Sequence, residues 1–295
     1  MNSFSMTAWP WKHFKDFIAP EADRFSLLKG LLEEGRLECS VITLAGNRHF
    51  FIAPPPPEEE FLRRRRTILV AHYDRYPGSP GANDNSAAIF ILIETAINLK
   101  KDKISNWLII FTDKEELNGG DDIRDQGAYS LATGLKEAGI ENARIFNFDA
   151  CGTGDTLVIS TTAEYFLKNE ARGEKIRASI KELRENALET GRNLAMAKVL
   201  LAPTPFSDDL GFLRAGVAAQ TITMLPSDEC SALASVLRRE PGFAELLVNQ
   251  KMRNSQNEKY IPETWRCLNS PKDGFHKLTP QYFRILQRFA EALCE

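Results

Sequence analysis

One histidine and five carboxylates of this sequence lie within five residues of the end of a short apolar run or open a predicted helix: His72, Asp74, Asp84, Glu115, Glu116 and Asp149. The apolar runs are typical of buried parallel strands, and side chains at the carboxyl ends of such strands meet at one edge of the sheet. Carboxylates gathered there would repel each other without a cation, because each negative charge raises the pKa of the next carboxyl group. Histidine together with carboxylates suits Zn²⁺ or a similar divalent ion. The sequence therefore predicts a divalent metal site.

The spacing of these residues suggests separate roles. Asp74 lies two residues after His72, where its carboxylate can hold the second imidazole nitrogen and so select the tautomer. Glu115 and Glu116 are adjacent, and neighbours in a tight turn point in different directions, so one can bind a metal while the other acts as a base. Each residue alone has a structural explanation, since an Asp before a helix is commonly an N-cap. Their coincidence at three successive strand ends favours the metal site.

Alternating strands and helices must position these residues. After residue 66, short and fully apolar runs are separated by segments with helical periodicity. The runs predict strands at Ile68–Ala71, Trp107–Phe111, Ile145–Phe148, Leu157–Ile159 and Gln220–Met224. The periodic segments predict helices at Ser86–Leu99, Gln126–Ala138, Phe166–Thr190 and Tyr282–Leu293. We therefore expect an α/β fold in a single domain, with a central, mostly parallel (mixed) sheet and helices on both faces.

The rest of the chain also carries local signals. Residues Ala22–Leu32 have helical spacing, and Arg36–Leu44 with Arg48–Ala53 predict an antiparallel hairpin. Prolines, glutamates and arginines fill residues 54–66, which predicts a surface loop whose acidic and basic runs pair with each other. Residues 225–268 lack a clear strand and predict an excursion of the chain near the site. Because no repeat or linker divides the sequence, all 295 residues are expected to form one domain.

Composition excludes several classes of protein. Hydrophobic residues make up 43% and charged residues 26% of the chain, which argues against a disordered or coiled-coil protein. The 37 Lys and Arg against 40 Asp and Glu give a net charge of −3, too balanced for a dedicated nucleic-acid-binding protein. No apolar stretch approaches a membrane span, and the N-terminus lacks the features of a secretory signal. Five scattered cysteines without a C-x-x-C pair favour a reducing, cytoplasmic location.

Several segments carry motifs that occur in a fixed order. They are His-x-Asp at 72–74, Gly-Ala-x-Asp-Asn at 81–85, Glu-Glu at 115–116 with Gly-Ala-Tyr-Ser at 127–130, Asn-Phe-Asp-Ala-Cys-Gly at 147–152 and a Ser-Asp-containing segment at 205–216. Together they resemble the co-catalytic zinc aminopeptidase family, whose relatives include glutamate carboxypeptidase II and glutaminyl cyclase. The similarity covers residues 20 to 293 and implies the zinc-exopeptidase fold.

The resemblance implies a pair of zinc ions bridged by Asp84 and by a water molecule. In that arrangement His72 and Asp149 complete the first site, Glu116 binds the second metal and Glu115 is the general base. The implied activity is metal-dependent hydrolysis of amide bonds, as an aminopeptidase acting on a peptide or aminoacyl substrate. A base beside a divalent ion is sound chemistry for such a hydrolysis. The chain is therefore expected to be a zinc metallopeptidase with one or two ions.

The fifth ligand position departs from the family pattern. The family has a histidine in a His-Thr-Pro-x-Asp segment, and Asn269 occupies the corresponding position here. A neutral amide oxygen is a poorer zinc ligand than imidazole, so the second metal is expected to bind weakly. His276 is the only later histidine, and it is the alternative fifth ligand on chemical grounds although it lies outside the register.

Two other functions stay open at this point. A glutaminyl-cyclase-like acyltransferase would use one metal, which a weakened second site fits. A non-catalytic binding or assembly domain would keep the fold, and loss of a ligand histidine agrees with that. Retention of Glu115 favours an enzyme, because an inactive site has no need of a base. The motifs specify neither the substrate side chain nor the oligomeric state.

Overall fold

The computed structural model describes residues 5–54, 65–117, 119–167, 173–240, 242–248 and 258–295. Within these ranges one sheet contains eight strands: β1 (Cys39–Leu44), β2 (Asn47–Ile52), β3 (Thr67–His72), β4 (Trp107–Thr112), β5 (Arg144–Phe148), β6 (Thr156–Ser160), β7 (Lys198–Ala202) and β8 (Gln220–Leu225). Their spatial order is β1-β2-β4-β3-β5-β8-β6-β7. The pairs β3/β4, β3/β5, β5/β8 and β6/β7 are parallel, and β1/β2, β2/β4 and β6/β8 are antiparallel. This confirms the predicted α/β fold with a mixed sheet.

Helices flank the sheet along the described chain. They are α1 (Phe14–Phe17), α2 (Arg24–Glu34), α3 (Ala87–Lys101), α4 (Gly127–Glu137), α5 (Thr162–Leu167), α6 (Glu174–Asn193), α7 (Asp208–Arg214), α8 (Ser227–Arg239), α9 (Phe243–Val248), α10 (Glu263–Cys267) and α11 (Phe283–Cys294). None of the helices in this part of the chain has both the length and the apolar character needed to cross a membrane.

The central strands bury side chains on both faces of the sheet. In β3, Leu69 and Ala71 pack with α1, α2, α3 and α11, whereas Ile68 and Val70 pack on the opposite face with α4 and α7. Every residue of β3 and β4 is buried as a result. Fully burying one such aliphatic side chain contributes about 1.5–3 kcal/mol. Coverage of both faces explains why these strands are continuous apolar runs rather than alternating ones.

The connection from β5 to β6 makes the sheet more mixed than the sequence pattern predicts. Residues 149–155 join the two strands and contain no helix. A parallel crossover needs a dozen or more residues. Strand β6 therefore returns in the opposite direction and pairs antiparallel with β8. Asp149, the first residue of this connection, stays at the edge where β5 ends.

Some boundaries differ from the prediction. The predicted helix at 166–190 is two helices, α5 and α6, and residues 168–172 between them lie outside the described residues. Strand β7 was not predicted. Its residues 199–202 form an apolar run, but the strand lies at the border of the sheet and most of it is partly exposed. The region 225–268 contains α8, α9 and α10, whose apolar side chains pack against β6 and β8. Of the predicted loop at 54–66, residues 55–64 lie outside the described residues.

Candidate metal centre

The predicted site residues lie at the carboxyl ends of three adjacent parallel strands. His72 is the last residue of β3, Glu115 and Glu116 follow the end of β4, and Asp149 directly follows β5. Because β4, β3 and β5 are neighbours in the sheet, their ends share one edge. Asp84 reaches the same edge from a tight helical turn, Ala82–Ser86, that leads into α3.

A histidine and two aspartates converge within metal-binding distance of one another. His72 Nε2 lies 3.0 Å from Asp84 Oδ1 and 3.6 Å from Asp149 Oδ1. One ligand atom from each of the three residues lies within 4.8 Å of the others. Zinc holds its nitrogen and oxygen ligands at about 2.0–2.2 Å, so two ligand atoms of one tetrahedral ion lie about 3.3–3.6 Å apart. The three side chains therefore have the spacing of a common ligand set.

Asp74 connects the histidine to the loop after β4. Asp74 Oδ1 lies 3.3 Å from His72 Nδ1. The same carboxylate accepts the backbone N–H of Glu115 at 3.1 Å and that of Glu116 at 3.0 Å. A carboxylate in this position fixes both the ring of a metal-binding histidine and its tautomer. Asp74 therefore orients His72 and the two glutamates together.

The two glutamates carry perturbed pKa values. Burial raises the pKa of Glu115 well above its ordinary value, and the charges of Glu116 and Asp149 add to this effect although His72 opposes it. Burial also raises the pKa of Glu116 to about 9, with Asp84 as the largest charged contributor. Gln126 Nε2 donates a hydrogen bond of 3.3 Å to Glu115 Oε1. The glutamates thus repel the acidic groups around them, and a bound cation would relieve that repulsion.

The imidazole of His72 reflects the same excess of negative charge. Burial lowers its pKa, but the carboxylates of Asp149, Asp74 and Asp84 outweigh burial and raise the pKa well above the ordinary value. The ring is completely buried. The surroundings of the His72 ring therefore favour a positive charge. A bound metal ion supplies that charge as well as a proton does.

Several buried oxygen atoms at this edge have no hydrogen-bond partner among the described residues. They include Glu116 Oε1, Asp149 Oδ1 and Asn269 Oδ1. A buried acceptor without a partner is costly, and such atoms are typically satisfied by an ion or an ordered water. The donor set of one imidazole with carboxylate and amide oxygens fits a divalent cation.

A cavity of about 510 Å³ opens over these groups. Asp84, Glu115, Glu116, Asp149 and Asn269 line its floor. Its walls come largely from Leu247, from residues 258–270 and from the segment before α7. They include Tyr76, Phe206, Ile261, Trp265 and Leu268. A concave site in which apolar side chains surround converging polar groups is a usual form of ligand pocket.

The structure separates the two candidates for the fifth ligand. Asn269 lines the cavity, and its backbone has a positive φ of 56°. Its Oδ1 atom is one of the unpartnered buried oxygens. His276 is exposed and borders a different depression with Lys272 and Lys277. Only Asn269 of the two is therefore placed beside the other candidate ligands.

Two further buried aspartates lie near the site, in segments whose motifs gave them no predicted role. Asp273 accepts the backbone N–H groups of Asn83 and Asp84, at 2.9 and 3.1 Å, and so supports the turn that carries Asp84. Asp208 accepts a hydrogen bond of 2.6 Å from Thr112 Oγ1 at the end of β4. Burial raises the pKa of both carboxyl groups to about 7. Asp208 is the first residue of α7 and Asp273 lies just before the turn at Phe275–Lys277, and these positions within the motifs were the available signal.

Solved structures of similar fold include peptidases and a cyclase. Glutaminyl cyclase from Porphyromonas gingivalis matches with a TM-score of 0.62 and 14% identity, over 96% of this chain and 95% of that chain. The LapA aminopeptidase of Legionella pneumophila matches with a TM-score of 0.61 and 12% identity, over 96% of this chain and 66% of that chain. A zinc aminopeptidase from Bacillus subtilis matches with 0.52 and 18%, over 83% of this chain and 48% of its own length. The chain thus spans about half the length of that aminopeptidase. These likenesses establish the fold.

A comparison with curated protein sequences finds no match. The family model of Peptidase family M28 matches residues 52–284 and includes every predicted site residue. The match confirms the resemblance to zinc exopeptidases and, at the level of the family, the expectation of a peptidase. With a match over most of its length, the chain belongs to Peptidase family M28.

Proposed function

We propose that this protein is a zinc-dependent aminopeptidase, which removes residues from the N-terminus of peptides. One observation carries the proposal. The ligand atoms of His72, Asp84 and Asp149 lie within 4.8 Å of one another, at the floor of a cavity that Glu115 and Glu116 also line. A buried acid/base candidate beside a metal ligand set is what metal-assisted amide hydrolysis requires.

The residues divide into one stronger and one weaker set of ligands. His72, Asp84 and Asp149 would hold the first zinc ion, and Asp84, Glu116 and Asn269 would hold a second. The first set contains an imidazole and two carboxylates, whereas the second relies on a neutral amide for its third ligand. We therefore propose one tightly bound zinc ion and a second ion that binds more weakly.

The side chains around the cavity would perform the proton transfers. Zinc bound there would lower the pKa of a water molecule and polarise the scissile carbonyl. Glu115 would accept the proton of the attacking water and deliver it to the leaving amine. Gln126 holds one oxygen of Glu115, and Asp74 holds its backbone N–H. These two contacts limit the rotation of Glu115, so its carboxylate stays directed toward the cavity.

The cavity walls favour substrates with a large apolar N-terminal residue. Phe206, Leu247, Ile261 and Trp265 line one continuous volume next to the carboxylates. Burial of an apolar substrate side chain there would contribute about 25 cal/mol per Å² of apolar surface. We therefore expect leucyl and phenylalanyl substrates to be cleaved more efficiently than lysyl or glutamyl ones.

A panel of aminoacyl anilides tests this proposal. Zinc-loaded protein should release the anilide from Leu and Phe substrates. Activity should disappear when a chelator removes the metal and return when zinc is added back. The variant Glu115→Gln should lose most activity, and the matched control Glu137→Gln, which changes an exposed glutamate of α4, should keep it. Lack of cleavage of every substrate by fully zinc-loaded protein would contradict the proposal.

Glutaminyl cyclase activity is the second candidate. The observation that favours it is length, since the chain covers 95% of the Porphyromonas gingivalis cyclase but 48% of the Bacillus subtilis aminopeptidase. Cyclisation of an N-terminal glutamine releases ammonia without breaking a peptide bond. Incubation with a Gln-initiated peptide, followed by mass spectrometry, separates the two reactions, because cyclisation lowers the mass by one ammonia and hydrolysis yields free glutamine.

We also propose a cytoplasmic location. All five cysteines are free thiols, and four of them are buried. Proteins of oxidising compartments more commonly pair their cysteines in disulfides. Fractionation of cells that produce the tagged protein tests the proposal, which predicts the protein in the cytoplasmic fraction and not in the medium or periplasm.

A further inference from the structure

A buried arginine connects the two segments of chain that carry the candidate metal ligands. Arg24 is the first residue of α2 and is only 6% exposed. The N-cap of this helix, Asp23, accepts the backbone N–H of Ser26 and so fixes where the helix begins. Arg24 also precedes residue 52, where the family match starts. Its position is therefore a feature of the N-terminal segment of this chain.

The guanidinium group donates hydrogen bonds to both segments. Nη1 donates to the carbonyl oxygens of Tyr73 and Asp74, at 3.2 and 3.0 Å. Nη2 donates to the carbonyl oxygens of Pro80 and Gly81, at 2.9 and 3.1 Å, and to Ser86 Oγ at 2.7 Å. The first segment follows His72, and the second surrounds Asp84. One side chain thus spans the backbone on both sides of the ligand pair.

The planar shape of the guanidinium is necessary for this connection. Its two terminal nitrogens point in fixed directions and contact several acceptors at once, whereas a lysine ammonium is a single point. The guanidinium also stacks over the ring of Phe17, with its central carbon 4.9 Å from the ring centroid. The stacking holds the plane of the group in the orientation that the carbonyl oxygens require.

The backbone is shaped to admit the guanidinium. Gly81 has a φ of +61°, and a Cβ atom at this position would lie 2.7 Å from Arg24 Nη2 and 2.7 Å from the carbonyl oxygen of Asp84. Any larger residue would therefore displace either the arginine or the turn that carries Asp84. Glycine also adopts this positive φ without strain. The absence of a side chain at Gly81 therefore allows the guanidinium of Arg24 to approach the backbone closely.

The charge of Arg24 faces the acidic groups of the site. Burial lowers its pKa to about 10, while the negative charges of Asp74, Asp84 and Asp273 oppose this effect. The guanidinium therefore stays charged at neutral pH. A buried cation beside several carboxylates offsets part of their mutual repulsion. This electrostatic contribution adds to the geometric one.

We propose that Arg24 is a positioning residue for the metal centre, which fixes the distance between the His72 segment and the Asp84 turn. The proposal rests on the proposed zinc site. In the absence of Arg24 the carbonyl oxygens of the two segments lose their common donor, and the segments are free to separate. Loss of a group that orients metal ligands typically lowers metal affinity about 10–100-fold.

Zinc affinity and backbone protection together test this role. The variants are Arg24→Lys and Arg24→Gln, and the matched control is Arg48→Gln. Arg48 is exposed and stacks on Phe25 of α2, and among the described residues no hydrogen bond joins its side chain to either segment. Zinc dissociation constants are measured by chelator competition, and the ligand field is followed by cobalt(II) absorption. Hydrogen exchange of the metal-free proteins measures how well the backbone of residues 73–86 is protected, independently of zinc binding.

We expect both Arg24 variants to bind zinc about 10–100-fold more weakly than the wild type, with an altered cobalt spectrum. Exchange should accelerate at 73–75 and 81–86 and stay unchanged in β4 and β5, whereas Arg48→Gln should match the wild type in every measurement. If Arg24→Gln does not fold, Arg24→Lys keeps the charge and gives the answer. Equal zinc affinity and equal exchange in wild type and Arg24→Lys would overturn the role of Arg24. A wild type that binds no zinc would overturn the metal centre itself, while the exchange result would still report on the connection.

Discussion

Asp74 Oδ2 accepts a hydrogen bond of 3.0 Å from the backbone N–H of Glu116, while Oδ1 of the same carboxylate lies 3.3 Å from His72 Nδ1. One carboxylate thus links a candidate ligand at the end of β3 to another in the loop after β4. Among the described hydrogen bonds and ion pairs, Asp74 is the one side chain that contacts both His72 Nδ1 and the backbone N–H of Glu116. Because Asp74 orients two candidate ligands at once, a change at Asp74 should alter the affinity of the site for zinc.

The variant Asp74→Asn should bind zinc about 10–100-fold more weakly than the wild type. The amide keeps one oxygen, but its NH₂ group meets a backbone N–H of Glu115 or Glu116 and cannot accept it. Chelator competition measures the zinc affinity. The control Asp102→Asn changes an exposed aspartate after α3 and should behave like the wild type. Unchanged zinc binding in Asp74→Asn would show that Asp74 does not orient the site.

Glu115→Gln should keep zinc and lose activity. Its amide cannot accept a proton from water, and loss of a general base typically reduces the rate about 10²–10⁴-fold. The zinc content of the purified variant should equal that of the wild type, because Glu115 is not among the proposed ligands. Turnover of a leucyl anilide at saturating substrate measures the effect on kcat. A variant with full activity would exclude Glu115 as the base.

Asn269→His should strengthen the second metal site. An imidazole in place of the amide gives that site a better zinc ligand. Zinc titrated into metal-free protein should show one tight and one weak binding event in the wild type and two tight events in the variant. His276→Ala should leave the titration unchanged, because His276 is exposed and lies outside the cavity. If His276→Ala removed a tight binding event, His276 would be the fifth ligand.

The buried imidazole of His49 should make the stability of the metal-free protein fall with decreasing pH, because the unfolded chain takes up a proton that the folded protein does not. Burial lowers its pKa from 6.5 to about 4, so the unfolded chain binds a proton that the folded protein does not bind between these values. Stability from this residue is therefore complete above pH 6.5 and is lost as the pH falls toward 4. Between pH 7 and pH 5 the loss is about 2 kcal/mol. Urea unfolding of wild type and His49→Gln at both pH values measures it, and the difference between the two proteins should change by that amount. A constant difference would show that folding does not lower the pKa of His49.

The strands and most of the candidate ligands follow from local sequence. A strand that is covered on both faces must be apolar throughout, so β3, β4 and β5 stand out as uninterrupted runs. The polar residues that end these runs, His72 and Asp149 among them, must emerge at the carboxyl edge of a parallel sheet. For this reason, the type and order of residues were sufficient to predict the fold, and they place the candidate ligands at one edge of its sheet.

The supports of the site depend on contacts between distant parts of the chain. Arg24 binds carbonyl oxygens from 49 residues further along, and Asp273 binds the backbone N–H of Asp84 across 189 residues. No local periodicity marks such residues, because a lone arginine in an amphipathic helix and a lone aspartate in a loop are ordinary surface features. The direction of β6 and the choice between Asn269 and His276 also follow from packing. A chain segment acquires these partners only when the whole sheet and its helices come together.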